Sequence, residues 1–189
     1  MTVYIVDLEA VDTRYTAEWK KYLPDQLQQA LVSDVVVLDT VEVISGGDVP
    51  QATTPGAFLN FGGTNIYKSN QLQQIGELFC NGQVIDGDYF LYTDAWNPTV
   101  IQLRYMAELL GIDIKIGGMW HAGSYDPQDF LGRIIGSKPW VRYAEASMFE
   151  CYDHNFFATQ FHIDLFCKTF GGSGSDFTEK FVRTGWPME

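Results

Sequence analysis

The residues best suited to chemistry in this sequence are a histidine and an aspartate, each placed where an apolar run ends. His121 lies in GGMWHAGSYDP, flanked by Gly117, Gly118 and Gly123, and these glycines allow the backbone to approach a ligand closely. An imidazole exchanges protons near neutral pH, so we predict that His121 is an acid–base or hydrogen-bonding group. The alternative is a histidine satisfied by local backbone groups.

Asp94 follows the apolar run YFLYT directly. It is predicted either to bind a substrate hydroxyl or orient His121, or to cap a helix that begins near Pro98. Trp96 and Trp120 stand beside these residues, and each either stacks on a sugar ring or base or packs in the core. His121 and Asp94 are the predicted catalytic residues. The predicted substrate-binding residues are Trp96, Asn97, Trp120, Gly123, Tyr125 and Gly185.

Other polar residues favour structural roles. Asp126 is predicted to cap a helix with Pro127 in its first position. Asp7 and Glu9 form an acidic pair, but two carboxylates alone are a weak signal for a metal, and no metal site is predicted. The three cysteines are widely spaced without a CxxC pair, so neither a zinc site nor a disulfide framework is expected.

Apolar runs and helical periodicities alternate along almost the whole chain, which predicts how these residues are positioned. We predict strands over residues 3–6, 35–38, 89–93, 112–118, 154–159 and 179–185, and helices over residues 16–31, 69–80, 98–110, 127–135, 140–149 and 161–170. This alternation predicts a doubly wound, mostly parallel α/β sheet of about six strands, Rossmann-like, with helices on both faces. Ligands then bind outside the carboxyl ends of the strands.

Some local predictions are more specific. Pro24 is expected to kink or split the first helix. Ser69 or Asn70 is expected to cap the helix over residues 69–80, and Gly111 is expected to end the helix over residues 98–110. Residues 57–68 fit either an extended segment or a loop, and residues 46–68 are interpreted as a mobile cover. Residues 171–176 are predicted to be a flexible loop.

Composition excludes several classes of protein. The net charge of −12 argues against direct nucleic-acid binding by this domain, although a modified-DNA acceptor is not excluded. No apolar run is long enough for a membrane span, and a cytoplasmic protein is expected. The sequence lacks a dinucleotide fingerprint, a P-loop and a GxSxG elbow, which disfavours three large enzyme classes.

The final third resembles the end of the N-terminal domain of GT-B fold glycosyltransferases. The pieces that carry the resemblance are HNFFATQFH, IDLFCKTF and FVRTGWP, together with the loop GGMWHAGSYDP, which is similar to that family's histidine-bearing loop. The resemblance implies that His121 contacts the donor sugar and that Asp94 and Trp96 face the acceptor. The first loop departs from the family because it lacks glycines near the donor phosphates.

The resemblance also implies that residues 1–189 are one Rossmann-like domain, the acceptor-side half of a two-domain enzyme. Such an enzyme uses a nucleotide sugar as co-substrate, without a cofactor or an essential metal, and the isolated half has little activity. An apolar face near residues 185–189 would then meet the second domain, and a homodimer is a further option. The alternatives are a self-contained flavodoxin-like module that binds a nucleotide or a protein, and a metal-dependent hydrolase using Asp7 and Asp94.

Overall fold

Short runs of β-branched and aromatic residues form the strands of a single sheet. The computed structural model describes residues 1–9, 16–33, 40–49, 51–170 and 178–185. Within them, the strands are Thr2–Val6 (β1), Thr40–Ile44 (β2), Tyr89–Tyr92 (β3), Lys115–Trp120 (β4), His154–Phe157 (β5) and Phe181–Arg183 (β6). All six run parallel, in the order β2-β1-β3-β4-β5-β6. The predicted doubly wound, Rossmann-like α/β class is confirmed.

Helices connect successive strands, as parallel pairing requires. The helices in the described residues are Thr16–Ser33 (α1), Phe61–Cys80 (α2), Thr99–Leu110 (α3), Phe130–Ile135 (α4), Pro139–Cys151 (α5) and Gln160–Phe170 (α6), with a 3-10 turn at Thr178–Lys180. Gly111 follows α3 with a φ of 68°, which confirms the predicted glycine at the helix end. None of these helices has the length and apolar character that crossing a bilayer requires.

The chain divides into two compact units. The first comprises Met1–Thr93 and Gln102–Lys115, and the second comprises Asp94–Ile101 and Ile116–Glu189. The interpretation of the chain as a single domain and as one half of a larger enzyme stays a prediction.

Aromatic rings fill the core of the first unit. Tyr4 of β1 stacks on Phe90 of β3 with ring centroids 4.7 Å apart, and Phe79 of α2 stacks on the same Phe90 ring at 6.5 Å. Asp88 is fully buried and holds the beginning of β1, because its Oδ1 accepts a hydrogen bond from the Thr2 amide at 2.7 Å. Gln71 of α2 donates to the Asp7 carbonyl at 2.7 Å and to the Ile44 carbonyl at 2.9 Å, so α2 lies against the carboxyl ends of β1 and β2.

The core of the second unit is built around Trp120, which is completely buried at the end of β4. Its indole stacks on Phe157 of β5 at 6.1 Å, and its Nε1 donates to Asn155 Oδ1 at 2.8 Å. Gly118 lies under the Tyr152 ring, where a β-carbon would come within 2.6 Å of ring carbons. The glycine in β4 is therefore required by packing.

Three predictions in the first unit need correction. Helix α2 begins at Phe61 because Asn60 caps it through a 2.8 Å bond from the Gly63 amide, so Ser69 and Asn70 are not its cap. Residues 61–68 are therefore helical, neither an extended segment nor part of a loop. Helix α1 continues through Pro24, which excludes the predicted split, and the kink at Pro24 stays a prediction.

The predicted strand over residues 35–38, the loop over residues 171–176 and most of the apolar face near residues 185–189 lie outside the described residues. Within the described residues, β1 pairs with Thr40–Ile44 on one side and with Tyr89–Tyr92 on the other. In the second unit, Asp129 and not Asp126 caps α4, because Asp129 Oδ1 accepts from the Leu131 amide at 2.9 Å. The Asp126 carboxylate instead accepts from the Gln128 amide in the preceding turn.

Candidate functional site

The turn that follows β3 is fixed at three points within the second unit. Asp94 Oδ1 accepts from the Trp96 amide at 3.0 Å, which closes a tight turn. The Ala95 amide donates to the Met119 carbonyl of β4 at 2.8 Å, and the Tyr152 hydroxyl donates to the Ala95 carbonyl at 3.0 Å. Asp94 is thereby held, partly exposed, beside the end of β4.

Asn97 carries the hydrogen bonds at the beginning of α3. Its Oδ1 accepts from the Thr99 hydroxyl at 2.8 Å and from the Thr99 amide at 3.2 Å. Asn97, and not Asp94, therefore caps α3. Because Asn97 is also buried, its predicted contact with substrate has no support from its position.

His121 is the first residue after β4 and is partly exposed. The chain behind it makes a close turn at Gly123, which is buried. A β-carbon on Gly123 would lie 2.5 Å from the Tyr125 ring and 3.0 Å from Glu145 Oε1, so only glycine fits there. Gly123 thus lets the chain pass close to a buried carboxylate, and its contact with substrate stays a prediction.

That carboxylate, Glu145 of α5, is the main residue that sequence reasoning missed. Its side chain is completely buried. Oε1 accepts from the Trp96 indole at 2.8 Å and from the Ser124 amide at 2.6 Å, and Oε2 accepts from the Ser124 hydroxyl at 2.7 Å. Glu145 therefore ties the turn bearing Asp94 to the turn bearing His121.

Burial dominates the electrostatics of Glu145. Desolvation raises the pKa of its carboxyl above the usual range, the bonds from Ser124 and Trp96 oppose that rise, and the charge of Asp129 adds to it. Burial, reinforced by Glu145, also raises the pKa of the Tyr125 phenol. The sequence held a signal, since Glu145 lies four residues after Val141 and three before Met148, on the apolar face of α5, where a carboxylate requires partners.

The other predicted ligand-binding aromatics differ in exposure. Trp120 and Tyr125 are buried and pack edge-to-face against each other at 6.2 Å. The core alternative therefore describes Trp120, and the predicted contact of Tyr125 with substrate has no support from its position. Trp96 is partly exposed, with its indole N–H fixed on Glu145. Trp96 therefore keeps the geometry needed to stack on a ring.

Gly185, with a φ of 76°, follows β6 and completes the same edge of the second unit. The preceding Thr184 donates its amide to the Phe157 carbonyl at 2.9 Å, and its hydroxyl lies 4.0 Å from Met119 Sδ. Met119 is thus close to both flanking turns. The turns bearing Asp94, His121 and Gly185 lie along one edge, and all three residues are partly exposed.

The first unit holds a separate polar cluster around Asp7, which is buried at the end of β1. The Tyr67 hydroxyl donates to Asp7 Oδ1, Gln71 Nε2 reaches the same atom at 2.9 Å, and Lys20 Nζ lies 3.1 Å from Oδ2. Because Tyr67 gives its one proton to Asp7, its oxygen accepts from Ser45 at 2.9 Å and from Lys20 at 2.9 Å. Burial and the Asp7 bond raise the pKa of Tyr67.

Glu9 accepts from the Thr64 hydroxyl and lies 3.5 Å from the ammonium group of Lys68. The acidic pair of the sequence is thus matched by two lysines from two helices. Across the described ranges, no group of three or more histidine, cysteine or acidic side chains is arranged to hold a metal ion. The residues of this cluster pair with one another through ion pairs and hydrogen bonds, and these contacts do not favour the hydrolase alternative.

Comparison with models of known protein families and with curated proteins finds no match for this chain. The fold, the site and the resemblance of the short sequence pieces therefore indicate the function.

Proposed function

We propose that this chain is the acceptor-side domain of a glycosyltransferase that moves a sugar from a nucleotide-sugar donor to an acceptor hydroxyl. One observation supports this most strongly. Three separate turns present Asp94, His121 and Gly185 along one edge, where parallel sheets bind ligands. The histidine-bearing loop and the strand ends are also the pieces that resemble GT-B enzymes.

In this proposal the acceptor oxygen bonds to the anomeric carbon while the bond to the nucleoside diphosphate breaks. Asp94 binds the acceptor hydroxyl and takes its proton, and His121 contacts the donor sugar and the charge that develops there. Trp96 offers a partly exposed ring beside Asp94 for the acceptor. Glu145 holds both turns from behind, so that the reacting groups lose little freedom on binding.

The proposal includes a second domain that binds most of the nucleotide sugar, and a cytoplasmic location. The decisive experiment measures sugar transfer from a panel of labelled nucleotide sugars to candidate acceptors. It uses this chain alone and the chain extended by the reading frame that follows Glu189. We expect turnover from the extended protein and little from the chain alone.

His121→Ala in the active form is expected to lower transfer by about 100-fold or more, the usual cost of removing one group that stabilises charge in the transition state. His154→Ala is the matched control, since His154 begins β5 at the opposite end of that strand from this edge. An undiminished rate in His121→Ala would remove His121 from the mechanism. Absence of transfer from every donor in the extended protein would remove the proposed function itself.

A second candidate is favoured by the strand order. The strands β2-β1-β3-β4-β5 follow the order of flavodoxin-like sheets, whereas the other common doubly wound sheet begins with the order 3-2-1-4. A self-contained module of this type binds a nucleotide or a protein without turnover. Calorimetry with nucleotides and nucleotide sugars separates the candidates, because this module binds free nucleotide without transferring anything.

A further inference from the structure

The segment that runs from the beginning of α4 into the first half of α5 differs in charge from the rest of the protein. Residues 130–144 contain Arg133, Lys138 and Arg142 and not one acidic residue. The remainder of the chain has nine basic residues against 24 acidic ones. A local charge of +3 in a protein of net charge −12 is a feature that needs a physical explanation.

Large apolar side chains are exposed in the same segment. Ile134 is 56% exposed, Trp140 is 56% exposed and Tyr143 is 75% exposed. The inner face of α5 is taken by Val141, which is completely buried, so Trp140 and Tyr143, three residues apart, share the outward side of the helix. Exposure of this size costs solubility unless a partner covers it.

A tight connection brings the two helices together. The Lys138 amide donates to the Ile135 carbonyl at 2.8 Å, so the end of α4 and the beginning of α5 are one turn apart. We name the resulting patch the basic–aromatic surface. Its members are Arg133, Ile134, Lys138, Trp140, Arg142 and Tyr143, and the three basic residues are all exposed.

We propose that the basic–aromatic surface docks the protein on an anionic phospholipid membrane. Tryptophan and tyrosine favour the headgroup level of a bilayer, while lysine and arginine pair with anionic headgroups and keep their stems on apolar surface. The acidic remainder of the protein does not prevent this contact, because salt screens charges beyond about 8 Å. The proposal concerns a peripheral contact and is independent of the proposed function.

The observations favour a membrane over a nucleic acid. The net charge of −12 opposes binding to an extended phosphate backbone, which requires more clustered basic residues than the three in this patch. The exposed Ile134 also suits an acyl boundary and has no role in stacking on bases.

The test is co-sedimentation of the whole chain with phosphatidylcholine vesicles, prepared with and without phosphatidylglycerol. Binding is expected only to the anionic vesicles and is expected to fall as salt rises. Replacing Arg133, Lys138 and Arg142 by alanine should lower the partition coefficient by about 100-fold, since each basic residue near the surface contributes about 1 kcal/mol. Alanine at Lys21, Lys115 and Lys168, which are exposed elsewhere, removes the same charge and should change binding little.

The apolar contribution has its own matched pair. Tyr143→Ser should weaken binding about tenfold, whereas Tyr105→Ser, at a residue that is 63% exposed on α3, should not. Circular dichroism establishes that each variant is folded before vesicles are added. Three results would overturn the proposal: no binding of the unaltered chain to anionic vesicles, equal losses in both alanine triples, or tighter patch-dependent binding to a labelled oligonucleotide.

Discussion

Asp7 and Glu145 are both buried carboxylates, one in each unit, and their partners differ in kind. Asp7 lies 3.1 Å from the ammonium group of Lys20 and also accepts from Tyr67 and Gln71. The three hydrogen bonds to Glu145 come from neutral groups, and the nearby charge of Asp129 opposes its ionisation. The Asp7 carboxylate thus lies beside a cation, whereas the hydrogen bonds to Glu145 bring no charge, and the raised pKa of Glu145 should make stability depend on pH.

The largest effect is expected from Asp7→Ala. The substitution removes the acceptor of the Tyr67 hydroxyl and the carboxylate partner of Lys20, and it leaves the Gln71 amide only its bonds to the Asp7 and Ile44 carbonyls. It should therefore cost about 3–5 kcal/mol of unfolding free energy. Urea denaturation measures this loss. The control is Asp25→Ala, at an exposed residue of α1, which should change stability by less than about 0.5 kcal/mol. Equal losses in both variants would mean that the Asp7 cluster stabilises nothing.

Glu145→Ala should come next, with a loss of about 2–4 kcal/mol, because the Trp96 indole and the Ser124 amide lose their acceptor in a buried place. The exposed Glu150 of the same helix, which pairs with Lys180 at 2.9 Å, supplies the control. Glu150→Ala should cost less than about 1 kcal/mol. The comparison between the two units fails if Glu145→Ala proves more costly than Asp7→Ala.

The pH dependence sharpens the difference in kind. Because the pKa of Glu145 is raised in the folded protein, the folded state holds a proton that the unfolded state has already released. Stability should therefore fall as pH rises from about 4.5 through the raised pKa, by at most about 1.4 kcal/mol per pH unit. The part of this fall that Glu145 contributes should disappear in Glu145→Gln.

Asp129 has a pKa raised by burial and contributes a slope of the same sign, but it is present in both proteins. The difference between the unaltered chain and Glu145→Gln therefore reports Glu145 together with its interaction with Asp129. Urea denaturation at several pH values measures it. Parallel curves for the two proteins would show that Glu145 does not titrate in this range.

Trp96→Phe should have the smallest effect, a loss of about 1 kcal/mol, because the ring volume is largely kept and one of three bonds to Glu145 is removed. Trp140→Phe, at an exposed ring, is the control and should leave stability unchanged. Thermal unfolding of the two variants separates them by a few degrees. If both variants behave alike, the indole bond to Glu145 adds nothing to stability.

Periodicity and turn chemistry predicted the parallel sheet and the edge on which Asp94, His121 and Gly185 lie. Both depend on local signals: apolar runs that form strands, and the rule that parallel strands end at the same edge. The helix after Pro98 and its end at Gly111 were predicted for the same reason. Asn60 was missed because Gly62 and Gly63 in the first turn of α2 are typical of a loop.

The buried polar contacts could not be predicted because they join residues far apart in sequence. Glu145 meets Trp96 across 49 positions, and Tyr67 meets Asp7 across 60. The close approach of Gly123 to Glu145 could not be predicted either, because the two residues lie 22 positions apart and the local sequence indicated only a glycine near a ligand. Trp120 was assigned to substrate as one of two alternatives, since exposure is a property of the packed chain.

The bond between Trp120 and Asn155 also governs how β4 and β5 can align. In the observed pairing Gly118 faces Asn155 and Trp120 faces Phe157. A shift by two residues would keep the inward side chains inward. It would, however, separate the buried Trp120 indole N–H from Asn155 Oδ1 and place a bulky residue under Tyr152. The Trp120–Asn155 hydrogen bond and Gly118 thus disfavour a misaligned pairing of β4 and β5.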